Sequence, residues 1–205
     1  MTKLTGKVAL VVGAGSPLGS AAAELLAAEG AWVGANDWSP TAAEKVVAAI
    51  SSAGGKAQAF PGDASKKLAF QSTLEHIVEK KGKIDLLINA ASVQPQASLL
   101  ELDEWDWRRA LDLNLSAVFL SMQSVAKVMR ELGGGTMINL ISAGGEELTT
   151  PYLSAAAAVE AFSRAAAEEF GAFNIIVHSL CTTSRPESIR KALMPLLSLE
   201  TVRRD

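Results

Sequence analysis

The sequence predicts an α/β fold, a doubly wound parallel sheet in three α/β/α layers, and three observations carry that expectation. Short apolar runs recur along the chain, beginning with Val8-Ala9-Leu10-Val11-Val12, and a short continuous run is the pattern of a strand buried on both faces. Between these runs lie longer stretches with apolar residues at helical spacing, and strands that alternate with helices need crossovers, which favours a parallel sheet covered on both sides. The first run also passes directly into a glycine-rich turn from Gly13 to Gly19 and then into a helix.

In order, the elements read as follows. A helix from Leu18 to Glu29 ends at Gly30, where a left-handed residue often closes a helix. Trp32 to Ala35 is a second strand, after which Ser39 caps and Pro40 opens a helix reaching Ala53. Lys56 to Phe60, Ile84 to Ile88, Thr136 to Ile141 and Ile175 to Leu180 supply four more strands. The helices between them are Ser65 to Lys81, a long region from Asp103 to Leu132 that stops at Gly133-Gly134-Gly135, and an alanine-rich helix from Pro151 and Tyr152 to about Gly171. Pro186 to Leu197 is a last short helical stretch. No repeat or low-complexity linker divides the chain, so residues 1–205 are expected to form one domain of the Rossmann type.

Composition narrows the function. Apolar residues make up 49% and charged residues 20%, as in an ordinary globular protein. With 19 basic against 22 acidic residues there is no basic stripe for a phosphate backbone, and nucleic acid is not an expected partner. No apolar stretch is long enough for a membrane span or a signal-peptide core, and Cys181 is the sole cysteine, so a cytoplasmic location is expected. The apolar setting of Cys181 predicts a buried thiol. His76 and His178 have no second ligand at metal spacing, Trp105 and Trp107 read as packing or interface residues, and the charges from Glu101 to Arg109 as a solvated helix start.

In a doubly wound sheet, ligands bind beyond the carboxyl ends of the strands. Gly13, Gly15 and Gly19, with Ser16 and Leu18 between them, form a turn in which backbone amides can approach a phosphate at a helix N-terminus. No Gly-Lys-Ser/Thr follows, so this is not a P-loop, but a nucleotide, a dinucleotide or S-adenosylmethionine would all suit it. Asp37 stands eighteen positions after Gly19, where an acid can accept hydrogen bonds from ribose hydroxyls. Its neighbour is Trp38 rather than an arginine, and NAD(H) is therefore expected over NADP(H).

Further residues complete an ordered set: Asp63 in PGDAS, Asn89 in INAAS, Asn114 in NLSAVFL, Ser142 in ISAGG and Tyr152 in PYLSA. With the glycine turn and Asp37, this order resembles the short-chain dehydrogenase/reductase family in its simple single-domain form, from Leu4 to about Leu180. The resemblance implies hydride exchange between a nicotinamide and a small alcohol or carbonyl. It makes Gly13, Gly15, Ser16, Leu18, Gly19, Asp37, Asp63 and Asn89 cofactor-binding. It makes Tyr152 the acid or base, Ser142 the donor to the substrate oxygen, and Asn114 the holder of a helix distortion and a relay water.

The chain also departs from the family. The lysine expected four positions after the tyrosine is Ala156, which can neither lower the pKa of a phenol nor hold the nicotinamide ribose. Arg164 lies three helical turns away, and only Arg185 is placed to reach back. Pro17 replaces the middle glycine of the turn and removes an amide donor, which predicts a weaker grip on a pyrophosphate. The asparagine turn reads Asn-Ala-Ala-Ser, the segment from Ser142 to Tyr152 is a few residues short, so the two are expected to converge poorly, and Thr182-Thr183 replaces Pro-Gly. The family's substrate lid and seventh strand are expected to be largely missing before Asp205. Open sheet edges and the alanine face from Ala155 to Ala167 predict a homo-oligomer, a dimer or tetramer. Two functions follow: an impaired NAD-dependent oxidoreductase, or an inactive cofactor-binding or scaffolding relative. A methyltransferase would leave Asn114, Ser142 and Tyr152 unexplained.

Overall fold

The computed structural model describes residues 3–144 and 148–199, with side chains as far as Leu197. Six parallel strands form one sheet in the order β3-β2-β1-β4-β5-β6. They are β1 (Val8–Val12), β2 (Trp32–Asp37), β3 (Lys56–Pro61), β4 (Leu86–Asn89), β5 (Gly135–Ser142) and β6 (Ile175–Thr182). The order reverses between β1 and β4, so a crevice opens beyond their carboxyl ends.

Alternation along β1 explains the two packed layers. Val8, Leu10 and Val12 join one cluster with Phe70, Leu74, Met122 and Val159, while Ala9 and Val11 join another with Leu26, Ile50 and Leu193. The first layer is covered by α3 (Lys67–Lys81), α5 (Ala117–Glu131) and α6 (Thr150–Phe170). The second is covered by α1 (Pro17–Ala28), α2 (Pro40–Ser52) and α7 (Pro186–Leu199). Each layer takes its helices from crossovers of opposite direction, which is what a doubly wound sheet requires.

Several boundaries differ from the sequence reading. β2 runs on to Asp37, because Asn36 and Asp37 pair in register with Phe60 and Pro61 of β3. α3 starts at Lys67 because Asp63 and Ser65 are spent on a turn, with both the N–H and the hydroxyl of Ser65 donating to Asp63 Oδ1. The region from Asp103 to Leu132 is three pieces: α4 (Glu104–Leu111), a π-helical turn (Asp112–Ser116) and α5. Cys181 is exposed, not buried. It shares the inward face of Ile175 and Val177 but lies at the open end of the edge strand, where the apolar sequence context misleads. His178 is half-buried, and burial holds its imidazole below the ordinary histidine range.

Candidate functional site

The glycine turn is built so that only glycine fits. Gly13 has φ +73°, and a Cβ there would meet the backbone of Ala90 and Ala91. A Cβ on Gly15 would stand 2.9 Å from Asp37 Oδ2, and one on Gly19 would run into the Gly13 carbonyl. The Ser16 hydroxyl accepts from the Gly19 N–H at 2.9 Å, capping α1, and donates to the Ala90 carbonyl at 2.6 Å, tying the turn to the end of β4. Pro17 takes the first helical position, where its fixed φ is preorganised.

Counting the amides of this turn shows what it can offer an anion. Ala14 donates to the Asn36 carbonyl, Gly15 to Asp37, Ser16 to the Gly13 carbonyl and Gly19 to Ser16. Pro17 has no N–H, which leaves Leu18 as the donor available between Ala14 and Gly19. The Leu18 side chain is buried, so its part in such a site is its backbone.

Asp37 closes the open side of the glycine turn. Its Oδ2 accepts from the Gly15 N–H and its Oδ1 from the Ser39 N–H, each at 2.9 Å. These bonds hold both carboxylate oxygens in place and leave each with acceptor capacity for a ribose hydroxyl. Beside it, exposed Trp38 carries the guanidinium of Arg109 at 5.3 Å from its ring centre, and exposed Trp105 faces the same group at 5.6 Å. α4 thus brings a cation next to the residue that follows Asp37, a long-range pairing that the sequence around Trp38 does not show. Asp63 lies at the same end, its carboxylate occupied by Ser65.

Asn89 and Asn114 do different work from each other. The Asn89 amide is buried and bonded inward, donating to Asn139 at 2.9 Å and accepting from Ser121 at 2.8 Å, while Asn139 donates to Ser163 at 2.9 Å. This satisfied network locks β4, β5, α5 and α6 together at the carboxyl end of β4. Asn114 sits in the π-helical turn and clamps Val93, accepting from its N–H at 2.9 Å and donating to its carbonyl at 2.7 Å. The expected helix distortion is present, and it fixes the loop after β4.

Ser142 and Tyr152 do meet, despite the shortened segment, of which residues 145–147 lie outside the described residues. The Ser142 N–H donates to Tyr152 Oη at 2.7 Å. Tyr152 is buried, and that burial pushes its phenol above its ordinary value, with Cys181 acting in the same direction. The Ser142 N–H and the Ser92 hydroxyl pull the other way without reversing the shift. Where the family's lysine would pass, Ala156 leaves a small cavity of about 20 Å³ that also borders Asn114, Tyr152 and Val159. A larger cavity of about 370 Å³ lies alongside, between Pro17 and Leu18 on one side and Ser142 and Ser184 on the other. Its described lining includes no charged residue: Ser184 reaches it, whereas Arg185 does not. Among the described residues no cluster of histidine, cysteine and acidic residues could hold a metal ion, and no helix is long and apolar enough to cross a membrane.

A doubly wound parallel sheet with a steric glycine cradle, an acid closing the next strand and a tyrosine beside a strand-end serine defines a dinucleotide-dependent oxidoreductase class. The short chain dehydrogenase family profile matches residues 7–189, and the chain belongs to that family, whose cofactors are nicotinamide dinucleotides. It is 33% identical over 184 residues to D-threitol dehydrogenase of Mycolicibacterium smegmatis, a match covering 88% of this chain and 71% of that protein. NAD+-bound xylitol dehydrogenase superposes with a TM-score of 0.81 at 29% identity, over 88% of this chain and 71% of that one. A 7α-hydroxysteroid dehydrogenase complexed with NADH superposes with a TM-score of 0.78 at 32% identity, over 87% and 71%.

Proposed function

We propose that this oxidoreductase binds NAD(H) and exchanges hydride with a small alcohol or carbonyl, at a rate limited by the absence of a cation at position 156. The observation that carries the reading is Asp37, held by Gly15 and Ser39 with its carboxylate at the adenosine end of a glycine cradle. A carboxylate there accepts from a 2′-hydroxyl and repels a 2′-phosphate, which favours NAD(H) over NADP(H). When bound, the nicotinamide supplies or accepts the hydride. In this reading Ser142 hydrogen-bonds the substrate oxygen, Tyr152 exchanges its proton, and Asn114 keeps the loop after β4 in place. A phenol raised by burial holds its proton more firmly, so the step runs slowly at neutral pH.

The small uncharged cavity at Ala156 favours a second reading, a relative that binds the dinucleotide without turnover. In both readings the chain acts as one cytoplasmic domain within a homo-oligomer, a dimer or tetramer. Parallel calorimetric titration with NADH, NADPH and S-adenosylmethionine tests the reading. Selective micromolar binding of NADH is expected, and NADPH binding equal to or tighter than NADH would overturn the cofactor preference. Selective binding of S-adenosylmethionine would overturn the dehydrogenase reading itself.

A further inference from the structure

We infer that β6 is a self-association strand, pairing antiparallel with β6 of a second copy and carrying the sheet across a two-fold axis. This rests on the homo-oligomer reading and names the surface that forms it. The two edges of the sheet, β3 and β6, are guarded differently. β3 has six residues, with Lys56 at its start and Pro61 at its end, and Lys80 Nζ donates to Gln58 between them. Lysine and proline are residues that keep an edge strand from pairing with another chain. β6 has eight residues, Ile175-Ile176-Val177-His178-Ser179-Leu180-Cys181-Thr182, and none of them is proline, glycine, lysine, arginine or an acid. It is rich in β-branched residues, and His178, Ser179, Leu180 and Cys181 all reach the surface at least in part.

The backbone shows what the open edge offers. The Asn174 carbonyl accepts from the Gly135 N–H and the Thr182 carbonyl from the Ala143 N–H, so the even-numbered positions of β6 bond to β5. Successive residues of a strand alternate in direction, which turns the N–H and C=O groups of Ile175, Val177, Ser179 and Cys181 outward. Among the described residues no strand pairs with that side. Such a row is the complement of its own antiparallel copy, and a two-fold contact requires a surface that fits itself. An axis at His178 engages every outward residue, Ile175 with Cys181 and Val177 with Ser179 of the second copy, whereas an axis at Ser179 leaves Ile175 over. The same register sets Ile176 opposite Leu180, an apolar cross-strand pair on each side of the axis. At the axis the two His178 side chains meet, and burial keeps each imidazole in its neutral form at pH 7, so no like charges oppose the contact.

The test is sedimentation velocity on the whole chain, with circular dichroism to confirm folding. Ser179→Pro removes an outward N–H from the middle of the row without touching a bond to β5, and is expected to weaken association at least about tenfold. Should it fail to fold, Ser179→Lys places a charge at the same point and is expected to act likewise. Gln58→Lys, at the edge already guarded, is expected to leave association unchanged. The register is read by His178→Cys made together with Cys181→Ser, which leaves a single thiol in the chain. Opposed Cα atoms at a pair without mutual hydrogen bonds lie about 4.5 Å apart, inside the disulfide range of about 4.4–6.8 Å, so mild oxidation is expected to give a covalent dimer. Ile176→Cys in the same background is expected to give none. A parent chain that is monomeric at high micromolar concentration overturns both the pairing and the homo-oligomer reading. An oligomer that survives both substitutions at Ser179, is weakened equally by Gln58→Lys, or gives no covalent dimer through position 178 overturns the pairing alone and leaves the homo-oligomer to another face of the chain.

Discussion

The two ends of the crevice are built on different principles. At the glycine-turn end the fit is steric and backbone-based: glycines that no other residue can replace, a serine cap and an acid clamped by two amides. At the Tyr152 end it rests on neutral side chains around a buried phenol, with a small void bordered by Ala156. Under the proposed function, the comparison teaches that binding and chemistry are separable in this fold, because the elements that shape the turn do not depend on Ser142 and Tyr152.

The largest expected effect breaks the stronger end. Gly19→Ala places a Cβ against the Gly13 carbonyl, a backbone atom that cannot swing aside. NADH affinity is expected to fall at least about a hundredfold and stability by roughly 2–4 kcal/mol, as for strained or overpacked positions. Calorimetry and urea denaturation read the two losses, and unchanged affinity would mean the turn is not the cradle.

The weaker end can be sharpened by restoring the charge. Ala156→Lys is expected to raise turnover with NAD+ and an alcohol by about a hundredfold, the lower range for a positioned acid or base. The sign with pH is fixed: Tyr152 is raised by burial, and a neighbouring ammonium stabilises phenolate, so the rise of rate with pH must move to lower pH in the variant. A higher rate with an unmoved profile would show that the lysine acts on the ribose alone.

Much of this was legible from sequence, and the limit falls at long-range contacts. The parallel sheet covered on both faces followed from alternating runs and the turn from its glycines, because backbone sterics act locally. The helix distortion at Asn114 was implied by the family resemblance, but its partner Val93 lies in a loop that no pattern specifies. Ser92 and Arg109 were missed for the same reason. Each acquires its role from a neighbour distant in sequence, Tyr152 for Ser92 and Trp38 for Arg109. The one available signal was position, since Ser92 directly follows a strand that ends at the crevice.

Pro17 offers a smaller and more discriminating change. Pro17→Gly returns one amide to a turn in which Leu18 is otherwise the available donor, and a hydrogen bond to a charged group contributes about 1.5–3 kcal/mol. Part of that is offset by the flexibility of glycine at a helix start, costing about 0.5–1 kcal/mol. NADH is therefore expected to bind several-fold more tightly, with the melting temperature lowered by a few degrees. No gain in affinity would show that the proline's preorganisation of α1 already compensates for its missing donor.

The smallest effect lies at the opposite, amino-terminal end of the central strands and asks whether the crevice is independent of it. Asp85 is buried just before β4, accepts from the Val8 N–H at 2.8 Å, and faces the ammonium groups of Lys7 at 3.3 Å and Lys83 at 3.0 Å. Burial alone would raise its pKa, but the Val8 amide and the two lysines outweigh it and hold the carboxyl below its ordinary range. The unfolded chain then binds more protons between the two pKa values, so this stabilisation is present above about pH 3.9 and is lost as pH falls through the folded value. Asp85→Asn is expected to cost about 1 kcal/mol at pH 6 and to show a shallower loss of urea midpoint on acidification than the parent. NADH affinity at pH 6 should be the same in both proteins. A change in affinity would mean that strain at the amino ends of β1 and β4 passes along the strands to the turn, and the separation of the two ends of the crevice would then have to be redrawn around β1 itself.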